Sequence, residues 1–164
     1  MLMLSELFDE TKGRIHKKHA KRLARKCKIL PNNIQLPPIS YPKVNTANFT
    51  EDIEEVKRCY RNPCLSSKFL LESDMSIEEI YKIFCTENNI KINWDYISKL
   101  LKDVDTIILK LKYDMGRPRP KHFLNDQGSA FSRIKNSKSP SFPSGHTTMA
   151  YFLSEVISSE YCDL

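Results

Sequence analysis

Residues 93–120 read NWDYISKLLKDVDTIILKLKYDMGRPRP, and the first twenty of them decide the fold class. Trp94, Ile97, Leu100, Leu101, Val104, Ile107, Ile108 and Leu111 recur at spacings of three and four, the period of one helix face. The spacing predicts a helix from about Asn93 to Lys112, halted where Gly116 and Pro118 follow. No segment alternates apolar and polar residues as a half-buried strand would, and no repeat is present. An all-α domain follows.

The end of that helix leads into chemistry. Six residues separate Lys112 from Arg119-Pro120, and Phe142-Pro143-Ser144-Gly145-His146 stands further on in the same C-terminal third. Arginine offers a planar fork of donors that matches a tetrahedral oxyanion, and lysine adds a compact charge, so the two form a common clamp for a phosphoryl group. Pro118 and Pro120 bracket Arg119 and restrict the backbone that carries it. In the second stretch Ser144 suits a helix N-cap, and Gly145 lets backbone N–H groups approach a ligand. His146 falls in the first turn. Free N–H groups at a helix start bind anions, and histidine is suited to proton donation near neutral pH.

These residues resemble the type 2 phosphatidic acid phosphatase (PAP2) superfamily, which includes the class A bacterial acid phosphatases and the vanadium haloperoxidases. Lys112, Arg119 and Pro120 are similar to its first motif, and Pro143 to His146 to its second. Either string alone is a weak signal; the two in order and spacing are a strong one. The resemblance covers roughly residues 95 to 160 and implies a helical bundle of the PAP2/acid phosphatase type. It also implies metal-independent hydrolysis of phosphomonoesters, lipid phosphates among them, through a phosphohistidine. Carried over residue by residue, Lys112 and Arg119 bind the phosphoryl oxygens, Ser144 and the Gly145 N–H complete the cradle, and His146 is the general acid. No organic cofactor or metal is implied. Vanadate would occupy the same cradle as a phosphate mimic or in the haloperoxidase branch.

The resemblance further implies a third motif, with serine-arginine, a nucleophilic histidine and an aspartate that orients it. The other histidines are His16, His19 and His122, none in a matching setting, and none follows His146. The expectation is therefore a bundle incomplete at its C-terminus. Three functions compete: a phosphatase; a non-catalytic protein that binds phosphate or phospholipid; and a polyanion-binding assembly module. If absent helices belong against Trp94–Leu111 and Met149–Ile157, those apolar faces lie open and self-association is expected.

Length and composition bound the rest. At 164 residues and 40% hydrophobic content the chain suits one domain with a core. No run of eighteen apolar residues exists, and Met1-Leu2-Met3-Leu4 gives way at once to Ser5-Glu6, so neither a transmembrane segment nor a signal peptide is read. A cytoplasmic or membrane-peripheral location is expected. The five cysteines, at 27, 59, 64, 85 and 162, form no CxxC pair and read as reduced thiols without zinc.

The net charge of +6 is local. Residues 12–28 hold nine Lys or Arg and no acid, which leaves 17 basic against 20 acidic residues elsewhere. Ile15, Leu23 and Leu30 are too few for a strongly buried face, so this segment reads as a basic, solvated helix or arm, available for contact with polyanions. Pro31-Asn32-Asn33 and Pro37-Pro38 to Pro42 mark a turn-rich connector. The domain reading is thus 1–45 for arm and connector and 46–164 for the PAP2-like helical domain. Within the latter, Thr50 is read as the cap of a helix that ends before Asn62-Pro63, Asp74 or Ser76 as the cap of one through Phe84, and Ser144 or Gly145 as the start of a last helix. That last helix would bury Met149, Phe152, Leu153, Val156 and Ile157.

Overall fold

A computed structural model describes residues 15, 17–36, 38, 46–61, 76–120 and 139–160. The described residues form five α-helices and no strand. In chain order they are α1 (Lys17–Leu23), α2 (Ala47–Arg61), α3 (Ile77–Glu87), α4 (Trp94–Met115) and α5 (Gly145–Glu160). The architecture is all-α, as the apolar periodicity predicts.

The long helix α4 is the axis of the molecule, and its two ends are defined by side-chain and backbone chemistry. The Asn93 side chain accepts the Tyr96 N–H at 3.1 Å, which satisfies one of the donors left over in a first turn. At the other end Gly116 takes a left-handed φ of 62° and its N–H donates to the Lys112 carbonyl. A Cβ would disfavour that conformation, so glycine is the natural terminator here. The helix runs three residues past Lys112, placing that lysine in the last turn.

Two faces of α4 are covered, where the apolar stripe predicts one. On the first, Ile97 and Leu101 meet Leu153 and Ile157 of α5 and Cys85 of α3. Leu153 is fully buried, and such burial contributes about 1.5–3 kcal/mol for a side chain of this size. Phe152, Val156 and Trp94 pack against the same cluster, and the Tyr81 hydroxyl of α3 donates to the Ala150 carbonyl of α5 at 3.0 Å. The faces of α4 and α5 expected to lie open are therefore in large part packed on each other. Exposed large apolar side chains include Ile80, Ile83 and Phe84 of α3, Tyr96 of α4 and Tyr151 of α5.

The second face of α4 holds Asp103, only 1% exposed. Its Oδ2 accepts the N–H groups of Lys28, Ile29 and Leu30 at 2.8, 2.7 and 3.1 Å. Burial alone would push this carboxyl up, but the three backbone donors outweigh it and hold the group below its ordinary value. Arg22 of α1 forms a bidentate pair with Asp105 two residues on. The basic segment is thus solvated at Lys17, Lys18, Lys21, Arg25, Lys26 and Lys28, all exposed, while His19, Arg22 and the backbone of 28–30 dock on α4.

Helix α2 starts three residues before the expected cap. Thr46, not Thr50, accepts the Phe49 N–H through its hydroxyl at 3.3 Å. Ser76 precedes α3 as expected, yet its side chain makes no cap hydrogen bond; its carbonyl accepts from Glu79 and Ile80 instead. Cys27 and Cys85 are free thiols, and the Cys59 thiol donates to Glu55 Oε1 at 3.5 Å. The connector from 39 to 45, Asp74, Cys64, Cys162, and the loop basic residues Arg133, Lys135 and Lys138 lie outside the described residues, as do His16 and His122. No described helix is long and apolar enough to cross a membrane.

Candidate phosphate site

The end of α4, the start of α5 and the segment before α5 meet around a cavity of about 490 Å³, within the usual size of small-ligand sites. Lys112, Arg119, Ser144, Gly145 and His146 all line it. Residues up to 34 positions apart are brought together because Ser141 stitches the loop before α5 to the segment after α4. Its N–H donates to the Arg117 carbonyl at 2.8 Å, and its hydroxyl lies 3.1 and 2.9 Å from the carbonyls of Arg117 and Pro118.

The two cations reinforce that seam. Lys112 Nζ donates to the Pro140 carbonyl at 3.0 Å and reaches the Ser141 carbonyl at 3.4 Å. Arg119 Nε donates to the Ser139 carbonyl at 2.8 Å. Lys112 is 7% exposed, and burial, followed by the neighbouring Arg119 charge, pulls its ammonium down to about 8. Burial also lowers Arg119, which as a guanidinium stays charged throughout the neutral range. Among the described residues, the hydrogen-bond partners of both cations are neutral carbonyl and hydroxyl oxygens. An oxyanion entering the cavity would relieve their mutual repulsion.

Helix α5 supplies the other side. The Ser144 hydroxyl accepts from the Thr147 N–H at 3.4 Å and from the Thr147 hydroxyl at 2.9 Å, so Ser144 acts as the N-cap expected of it. An added Cβ at Gly145 would come no nearer than 3.9 Å to its closest neighbour, Lys112 Cε. Packing within the protein therefore does not demand glycine at 145. Its bareness leaves room on the cavity side, as an anion at a helix N-terminus requires. Ser144 and His146 are both exposed, at the rim. The Phe142-Pro143 peptide just before them is cis.

The cavity also has lining residues that no sequence pattern pointed to. His19 and Arg22 come from α1, and Asp105 from the middle of α4. His19 is 94 positions from its partner Tyr113, a separation that leaves no local sequence signal. A second, apolar pocket of about 200 Å³ shares Ser141 and Ser144 with the first and is walled by Phe49, Ile53 and Val56 of α2. Arg117, paired with Asp52 of α2, closes its edge. Among the described residues no cluster of His, Cys, Asp or Glu is placed to hold a metal ion.

Compared with known proteins, residues 97–163 match the family model described as the PAP2 superfamily. The matched span holds α5 and almost all of α4, and with them every one of the five residues assigned from the two motifs. No curated protein and no solved structure matches the chain.

Proposed function

From the match of residues 97–163 to the PAP2 superfamily model, we propose that the cavity binds the phosphoryl group of a phosphomonoester and that the protein acts in phosphomonoester hydrolysis. The observation that carries the reading is the convergence of Lys112, Arg119, Ser144, Gly145 and His146 on one cavity of about 490 Å³. Lys112 and Arg119 neutralise the phosphoryl oxygens, and the N-terminus of α5 contributes backbone N–H groups and its positive dipole end. In the reaction the bond from phosphorus to the ester oxygen breaks, the departing oxygen takes a proton from His146, and phosphorus gains an oxygen derived from water. His146 then regains a proton from solvent. The attacking group of a covalent step is not assigned to any of these five residues.

Hydrolysis of a chromogenic aryl phosphate without added metal tests the reading. Turnover by the wild-type chain that is lost in both His146→Ala and Arg119→Ala is the expected result. Absence of turnover, with orthophosphate binding that Arg119→Ala abolishes, would instead mark a phosphate-binding protein that does not hydrolyse. Absence of both overturns the reading.

Two partner readings go with it. The exposed Ile80, Ile83 and Phe84, adjacent on α3 by their spacing, support self-association, which a solution mass would measure. The exposed Lys and Arg side chains between 17 and 28 support contact with a polyanion, and such binding should weaken steeply with salt.

A further inference from the structure

Two pockets share one wall. The segment after α4 places Arg119 in the phosphate cavity, whereas its neighbours Pro118 and Pro120 line the apolar pocket of about 200 Å³. Ser141 and Ser144 line both. A phosphoryl group held by Arg119 at the α5 N-terminus therefore lies on one side of a seam whose other side is apolar.

The far wall of the second pocket comes from outside the matched span. Phe49, Ile53 and Val56 stand at i, i+4 and i+7, so they share one face of α2, and all three line the pocket. The ion pair of Arg117 with Asp52 ties α2 to the segment that carries Arg119. Chemistry then narrows the occupant. Proline has no N–H to donate, the Ser141 hydroxyl is engaged with the Arg117 and Pro118 carbonyls, and Asp52 neutralises the guanidinium at the edge. Little is left there for a sugar or a second charged group, and burying polar groups without partners is costly. Size narrows it as well. An apolar cavity of roughly 150 Å³ takes up benzene, so about 200 Å³ suits one aromatic ring or a short branched alkyl chain.

We propose that this pocket is the subsite for the organic group of the phosphomonoester, which makes the substrate class an aryl or short branched-alkyl monophosphate in preference to a sugar phosphate. The proposal rests on the phosphate-binding reading of the neighbouring cavity. It gives α2, which holds neither sequence motif, the part of selecting the ester.

Methylphosphonate and benzylphosphonate, which are not hydrolysed and differ in apolar bulk, separate the two claims when their binding to the full chain is measured by calorimetry at one pH. Benzylphosphonate should bind roughly tenfold to a hundredfold more tightly, the worth of burying one aromatic ring. In the double variant Ile53→Thr/Val56→Thr, benzylphosphonate should lose roughly tenfold in affinity and methylphosphonate much less. Equal affinities in the wild type, or a benzyl advantage that survives intact in the double variant, would overturn the subsite and leave the phosphate reading standing. No binding of methylphosphonate or orthophosphate by the wild type would overturn both.

Should the double variant fail to fold, the ¹³C methyl resonances of Ile53 and Val56 in the wild type carry the test. Benzylphosphonate should shift them well beyond any effect of methylphosphonate. Methyl signals that respond equally to the two ligands, or to neither, overturn the proposal.

Discussion

Lys112 Nζ donates to the Pro140 carbonyl at 3.0 Å, so a side chain from the last turn of α4 is tied to the loop that leads into α5. The bond ties the first motif to the loop ahead of the second across 28 residues, in the cavity that Arg119, Ser144 and Gly145 also line. Removing either cation should weaken phosphate binding. Arg119→Ala and Lys112→Met are each expected to lose between about tenfold and a hundredfold in orthophosphate affinity, as charge-assisted hydrogen bonds of about 1.5–3 kcal/mol imply. Equilibrium binding at low salt measures it.

The depressed lysine gives a pH dependence with a definite sign. With its ammonium lowered to about 8, Lys112 loses its charge as pH rises through that value, and oxyanion affinity should fall with it. Sulfate is the suitable probe, since its own charge is constant across this range. Lys112→Arg should remove the alkaline fall. For folding the same shift acts in the opposite direction: between about pH 8 and the ordinary lysine value of 10.5 the unfolded chain binds more protons, so this group adds stability as pH rises. Urea unfolding at pH 8 and 10 reads it.

Asp103 makes the docking of residues 28–30 a stability element. Asp103→Ala removes the acceptor of three backbone N–H groups and should cost about 3 kcal/mol in urea unfolding. Its folded-state carboxyl is held below the ordinary 3.8, so its contribution is present above that pH and is lost as pH falls through the lowered value. Asp103→Asn should flatten that acid limb, which a pH titration of the melting temperature would reveal.

Gly145→Ala separates the needs of the fold from those of the ligand. The new methyl meets Lys112 Cε at an ordinary 3.9 Å, so thermal stability should hold or rise slightly. Orthophosphate affinity should fall, because the methyl occupies space at the α5 N-terminus. Unchanged affinity would remove Gly145 from the cradle.

Leu153→Ala tests the core that sets the angle between the two site helices. With Leu153 fully buried between α4 and α5, a loss of about 2–5 kcal/mol is expected in chemical denaturation.

Helix α4 and the start of α5 were legible in the sequence because both are written in local terms: a 3.6-residue apolar period, a glycine stop at Gly116 and Ser144 ahead of Gly145. The five candidate residues that line the cavity were named in advance because two motifs hold them within short windows. Leu109, Asp103 and Thr106 were not, although all three are buried. A helix covered on two sides shows only its strongest stripe, and a buried carboxylate looks like a surface one until its backbone donors, some 75 positions away, are in place.

The sequence by itself determined the helical class, the central helix and the start of α5, since each depends on contacts within a turn. Only the tertiary structure decided that the basic segment would join the site. The burial of His19 against Tyr113 and the pairing of Arg22 with Asp105 are contacts across 94 and 83 positions. Such contacts depend on where α1 comes to rest, and no local spacing encodes that.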